Sequence, residues 1–220
     1  ATINVFEKLG INYTLLGDRE GCCGDFLLLL GLIDEAKRCA VEVVSEIINS
    51  KVDIVVTNCA GCYRAFSREY PERLGIEMPF AVMHLSQLLN VLMKDNSMEF
   101  NPIRMKVTYH DPCELGRRCG IYEEPRSVLK AIPGVRLVES KYARESCRCC
   151  GAGGGVFALY PNLSIEVAKD KLEKEVLPLE VDALVTCCPV CYINLSYAAT
   201  MHDLPLEVYD IAEVVAMALK

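Results

Sequence analysis

The chain has 220 residues, 52% of them hydrophobic and 24% charged, with a formal net charge of −7. That is an ordinary globular composition, long enough for one or two domains. The acidic balance excludes a general nucleic-acid binder, which needs a basic face. No apolar run approaches the roughly 20 residues of a transmembrane helix.

In chain order, the pattern predicts a strand over 12–16, a helix over 26–48, a strand over 54–57 and a helix over 63–69. A strand over 80–83 and a helix over 85–93 follow. Strands are predicted next over 105–109 and 135–139, then a helix over 163–176. The chain closes with strand 183–186, helix 193–199, strand 206–209 and helix 211–219. Strands alternating with helices imply βαβ units and parallel sheets. We therefore expect an α/β fold of two pseudo-symmetric Rossmann-like lobes with mostly parallel sheets. The expected lobes are residues 1–98 and 99–220, joined near 94–102, where polar residues and Pro102 interrupt the pattern.

The two lobes read as a tandem repeat. Asp53-Ile-Val-Val-Thr-Asn-Cys59-Ala-Gly-Cys62-Tyr63 matches Asp182-Ala-Leu-Val-Thr-Cys-Cys188-Pro-Val-Cys191-Tyr192. Upstream, Cys22-Cys23-Gly24 matches Cys149-Cys150-Gly151. Downstream, the segment ending at His84 matches the one ending at Asp210. The second copy also carries Val107-Thr-Tyr-His-Asp-Pro-Cys113. Its counterpart in the first copy would fall before residue 1, so the chain is expected to be a fragment lacking that strand and its cysteine.

Thirteen cysteines are the informative count. They are bunched as adjacent pairs and short loops, and adjacent cysteines rarely pair with each other without strain. Such bunching reads as metal ligation in a reducing cytosol, so a cytoplasmic location is expected, with a membrane reached only through a partner subunit. Each Cys-x-x-Cys follows a strand and opens a helix, whose free N–H groups favour a thiolate. Thiolates suit zinc, copper(I) and iron–sulfur clusters. The second copy offers Cys113, Cys149, Cys150, Cys188 and Cys191, with Cys147 and Cys187 beside them. That exceeds the four ligands zinc takes and points to a multi-iron cluster. The first copy offers Cys22, Cys23, Cys59 and Cys62, which zinc could equally satisfy.

Among the other residues, His110 at a strand end is the one candidate catalytic group, as a proton donor; a lone His there is more often structural. His84 precedes a helix and reads as a cap or a packing residue. Arg117 and Arg118 are candidate anion binders or plain solvated charges. Tyr63 and Tyr192 are candidate shields of the metal or simple packing residues. The glycine run 151–155 lacks the Lys-Ser/Thr of a phosphate loop and reads as backbone packed close to a metal site.

The series His110-Asp111-Pro112-Cys113, Cys149-Cys150-Gly151-Ala152-Gly153-Gly154 and Cys188-Pro189-Val190-Cys191 resembles the cysteine-rich CCG domain, and does so over essentially the whole chain. This domain occurs in the catalytic subunit of heterodisulfide reductase. It also occurs in iron–sulfur subunits of glycolate oxidase, anaerobic glycerol-3-phosphate dehydrogenase, lactate-utilisation enzymes and one type of succinate dehydrogenase. The resemblance implies a non-cubane 4Fe–4S cluster on Cys113, Cys149, Cys150, Cys188 and Cys191. The first motif matches at Cys22, Cys23, Cys59 and Cys62 and lacks its leading cysteine. Also implied are an iron–sulfur or flavoprotein donor subunit and a disulfide or quinone acceptor. Three functions follow: reduction of a disulfide, relay of electrons from a flavin dehydrogenase, or a structural zinc module for assembly.

Overall fold

A computed structural model describes all 220 residues. The first half runs α1 (Thr2–Lys8), α2 (Asp25–Leu29), α3 (Ile33–Asn49), β1 (Ile54–Thr57), α4 (Ala60–Arg64), β2 (Ala81–His84) and α5 (Leu85–Lys94). The second half runs β3 (Met105–Tyr109), α6 (Gly116–Cys119), α7 (Glu123–Ala131), β4 (Val135–Leu137), α8 (Val156–Leu159), α9 (Pro161–Lys171), β5 (Ala183–Thr186), α10 (Pro189–Met201), β6 (Glu207–Asp210) and α11 (Ile211–Ala218).

The fold is α/β with two sheets, and every strand pairing is parallel. β1 pairs with β2, Ile54 opposite Ala81 and Thr57 opposite His84. The larger sheet has the order β4-β3-β5-β6. Its central strand β5 (Ala-Leu-Val-Thr) is buried at every position, as expected of a strand covered on both faces. Parallel strands aligned in this way deliver the residues after β1, β3 and β5 to the same ends of their sheets. Those residues are the cysteine-bearing segments.

The halves are unequal and share their main core. Val5, Phe6, Leu85 and Leu89 of the first half pack in one cluster with Val128, Leu129, Val214 and Val215 of the second. Burying a Val, Leu or Phe side chain of this kind stabilises by about 1.5–3 kcal/mol. A smaller core lies along one face of α3, where Ala36, Ala40, Val43 and Ile47 meet Phe66, Tyr70 and Leu74.

Local expectations differ from the structure in several places; α1 and α7 have no counterpart among the expected elements, and the helix expected over 163–176 continues beyond Lys171 as π-helical turns over Leu172–Val176. Residues 12–16 form no strand. In the larger sheet the corresponding strand, β4, pairs only with β3, and the first half of this chain contains no strand to play the β3 part. The helix expected over 26–48 is broken between α2 and α3, where Gly31 takes φ +80°. The helix expected over 63–69 starts earlier, at Ala60, and opens into wider π-helical turns over Ala65–Leu74, which contain Pro71. Proline lacks the N–H of a regular turn, which favours such widening.

Candidate metal centre

Both Cys-x-x-Cys motifs are built alike. Cys59 leaves β1 in extended conformation and caps the N-terminus of α4; Cys188 leaves β5 and caps α10. Both Cys-Cys-Gly turns are alike too. The Gly24 N–H donates to Cys22 Sγ at 3.3 Å, and the Gly151 N–H donates to Cys149 Sγ at 3.3 Å. Gly24 has φ +69° and Gly151 φ +93°, conformations that side chains resist. At Gly151 an added Cβ would also sit 2.6 Å from the Ser164 carbonyl oxygen.

The two sets of thiols meet. Cys188 and Cys62 face Cys59 and hold its thiol down to about 2, against the cost of burial. Cys62 in turn lowers Cys23. On the other side, Cys191 pulls Cys188 down while the Cys59 thiolate and burial push it up, to about 12. Cys149 and Cys191 together lower Cys150. A continuous string of thiols therefore runs Cys23, Cys62, Cys59, Cys188, Cys191, Cys150, Cys149. Within it Cys23, Cys59 and Cys150 are favoured as thiolates. Cys62, Cys191 and Cys149 are raised by those charged neighbours. Cys113 is half-buried and raised, first by burial and then by Glu114 and Cys150. Cys149, at one end, is exposed, as is Cys22 beside Cys23.

His110 stands among these thiols. It is 2% exposed, and a ring nitrogen lies within 4.8 Å of both Cys150 Sγ and Cys191 Sγ. Its Nδ1 is 3.4 Å from Cys147 Sγ, while Nε2 is buried without a hydrogen-bond partner. Burial alone would lower its pKa, but the thiolate character of Cys147 overrides this and lifts it to about 9. Cys147 is in turn favoured as thiolate: burial opposes this, and His110 and then Lys171 overcome it. Lys171 Nζ is 3.8 Å from Cys147 Sγ and 3.0 Å from Glu175 Oε2. Cys187 lies elsewhere, fully buried and pushed well above the usual thiol range.

Buried charges hold the frame, and sequence reasoning missed them. Arg126 is fully buried and donates to both oxygens of Asp111, at 2.6 and 2.8 Å, and to Glu139 at 2.7 Å. Asp111 also accepts the Arg144 N–H, which ties the His-Asp-Pro-Cys turn to the segment before Cys147. Arg64 is paired with Asp25, Glu69 and Glu114 at 2.7, 3.2 and 2.6 Å. His84 does cap α5. Arg117 Nη2 donates to the Cys147 carbonyl, and Arg118 stands exposed near Glu114. Tyr63 packs edge-on against His84, and Tyr192 lines a surface hollow with Ser196 and Leu204.

The donor set fits a soft metal or cluster: many thiols, several of them thiolates, packed side by side with one imidazole. No helix is long and apolar enough to cross a membrane. A family model described as "Cysteine-rich domain" (CCG) matches residues 1–67 and 107–196. The chain is 42% identical to a subunit of the dihydromethanophenazine:CoB–CoM heterodisulfide reductase of Methanosarcina acetivorans, over 100% of this chain and 54% of that protein. It is 35% identical to a subunit of the fumarate reductase (CoM/CoB) of Methanothermobacter marburgensis, over 91% of this chain and 39% of the other. It is 30% identical to EtfAB:quinone oxidoreductase of Syntrophomonas wolfei, over 100% of this chain and 32% of the other. The chain thus spans about half the length, or less, of these relatives. The motif series, both Cys-Cys-Gly turns and the family match agree, and the chain belongs to the cysteine-rich CCG domain family.

Proposed function

We propose that this chain is the cluster-carrying domain of an iron–sulfur oxidoreductase subunit. The observation that carries this reading is the approach of the two cysteine loops, where the Asn58 and Cys187 carbonyl oxygens lie 3.2 and 3.1 Å from one His84 nitrogen, so that Cys59 and Cys188 face one field of thiols. Residues 1–98 supply Cys22, Cys23, Cys59 and Cys62. Residues 99–220 supply Cys113, Cys149, Cys150, Cys188 and Cys191. The second set holds a 4Fe–4S cluster, of non-cubane form where all five thiolates engage. The first set holds a second cluster or a zinc ion. The relatives, named as subunits of a heterodisulfide reductase and a fumarate reductase and as a quinone oxidoreductase, support electron transfer as the role.

An iron–sulfur cluster bound here supplies or accepts electrons one at a time. This chain's own residues supply the rest. Cys59 and Cys188 keep the two sets in contact. The apolar shell of Ala60, Leu115 and Val185, each fully buried, excludes water from behind them. His110 holds a proton between Cys147 and the thiols of Cys150 and Cys191. The reaction we favour is reductive cleavage of a disulfide, which takes two electrons and two protons and yields two thiols. The donor is an iron–sulfur or flavoprotein partner subunit, and the acceptor is the disulfide or, in a relay, a quinone.

The test is single turnover. Protein loaded with iron and sulfide and then reduced is mixed with the heterodisulfide of coenzymes M and B, and thiol products are counted. Thiol release that is lost in Cys188→Ser supports disulfide reduction. Electron uptake from a donor without thiol release assigns the relay to quinone. Full turnover in Cys188→Ser contradicts the site.

A further inference from the structure

We infer that His84 is a positioning residue: one imidazole ties together the two loops that carry Cys59 and Cys188, and so sets how the two thiol sets face each other. His84 closes β2 and is 1% exposed. Its Nδ1 accepts from the Ser86 N–H at 3.2 Å, and Ser86 Oγ lies 2.9 Å away. Its Nε2 lies 3.2 Å from the Asn58 carbonyl oxygen and 3.1 Å from the Cys187 carbonyl oxygen. Carbonyl oxygens only accept, so the proton sits on Nε2 and is shared between them. Asn58 and Cys187 are the residues immediately before Cys59 and Cys188. The bridge therefore joins matching points of the two motifs, one from each half of the chain.

Capping alone does not call for an imidazole here. The equivalent residue of the second copy is Asp210, which closes β6 and caps α11 with the same reciprocal arrangement. Asp210 Oδ1 accepts from the Ala212 N–H at 2.9 Å, and Glu213 accepts from the Asp210 N–H at 2.9 Å. Gln87 does the same for the His84 N–H at 3.0 Å. What histidine adds is a second nitrogen on the far side of the ring, and that nitrogen reaches both cysteine loops. The Tyr63 ring, edge-on at 6.0 Å, holds the imidazole in this plane. Tyr63 directly follows Cys62, so the first motif both supports and receives the bridge.

The purpose given to this bridge rests on the reading of these cysteines as metal ligands, but its test needs no metal. Fully reduced, metal-free protein is treated with limiting diamide. Each disulfide formed gives two electrons and two protons to the diamide, which becomes the hydrazine. Peptide mass spectrometry then measures the Cys59–Cys188 disulfide, which crosses between motifs, against Cys59–Cys62 and Cys188–Cys191, which stay within them. Wild-type protein is expected to yield the crossing disulfide. His84→Asn keeps a capping oxygen but lacks the reach to the carbonyls, and its crossing fraction is expected to fall about tenfold or more. His84→Gln, whose amide nitrogen reaches as far as Nε2, is expected to restore it. Near-UV circular dichroism checks folding, which a merely structural role for His84 would lose in step with the disulfide. If His84→Asn fails to fold, His84→Gln decides alone: a folded Gln variant without the crossing disulfide overturns the inference. So does a wild-type ratio in His84→Asn, or no crossing disulfide in wild type. Failure to bind iron would sink the cluster reading and leave this ratio untouched.

Discussion

Arg64, on the helix that opens with Cys59 and Cys62, sets its Nε 2.6 Å from Glu114 Oε2, on the residue that follows Cys113. This pair links cysteine-bearing segments of the two halves. Arg64 is 2% exposed and also compensates Asp25 and Glu69. Removing it strands Asp25 and Glu114, whose pKa values are already raised, chiefly by burial. Arg64→Met is expected to destabilise the metal-free protein by about 3–5 kcal/mol. Urea unfolding measures this. A loss below about 1 kcal/mol, the range of exposed ion pairs, would show that the carboxylates relax into water.

The two Cys-Cys-Gly turns differ in how closely their glycines are packed. Gly151→Ala places a methyl 2.6 Å from the Ser164 carbonyl oxygen at φ +93°; at Gly24 the nearest atom, the Ala36 carbonyl oxygen, is 3.2 Å away at φ +69°. Backbone strain of this kind costs on the order of 1–3 kcal/mol, and the steric clash that adds to it is more severe at Gly151. Urea midpoints of the two single variants are expected to fall further for Gly151→Ala. The reverse order would contradict the packing.

His84 and Asp210 occupy equivalent caps and give opposite pH dependence. Burial lowers His84 to about 4 from its ordinary 6.5. Its folded value is below the unfolded one, so its contribution is complete above pH 6.5 and is lost as pH falls through about 4. Burial raises Asp210 to about 6 from 3.8. Its contribution is present below pH 3.8 and is lost as pH rises through about 6. Asparagine caps as well as aspartate. Asp210→Asn is therefore expected to stabilise relative to wild type by on the order of 2 kcal/mol at pH 7, with the gap closing towards pH 4. Unfolding free energies at several pH values check the sign.

Cys147 and Cys150 lie on one loop, and both touch His110. Cys150→Ser is expected to lose the iron of the second set. Cys147→Ser is expected to keep it and to shift the reduction potential by roughly 60 mV, equivalent to about 1.4 kcal/mol for one electron, by releasing His110. Iron analysis and a redox titration followed by electron paramagnetic resonance separate the two. Iron loss in Cys147→Ser would make Cys147 a ligand.

The parallel sheets and the cysteine-rich family are legible in the sequence, because strands and Cys-x-x-Cys motifs recur in fixed order. That Cys59 and Cys188 meet is not, since it depends on how the halves share Leu85, Leu89, Val128 and Leu129 in one core. Helix α7 is not among the expected elements, and Pro125 lies in its first turn, where no N–H is needed. Nothing in the local sequence sets Arg64 and Arg126 apart from other arginines. Their burial follows from partners distant in the chain, Glu114 and Asp111, and no local pattern marks it. His84 is legible as a cap from its position before an apolar helix. Its second partner pair is not, because Asn58 and Cys187 come from opposite halves.

The central claim is that these thiols hold an iron–sulfur cluster. It is tested most directly by purifying the protein without oxygen and measuring iron, acid-labile sulfide and zinc per chain. The expected result is about four irons or more per chain with matching sulfide, at most one zinc, and loss of that iron in Cys150→Ser or Cys191→Ser. Zinc alone, with no iron retained after cluster reconstitution, would contradict the account and leave a zinc-bound assembly module in its place.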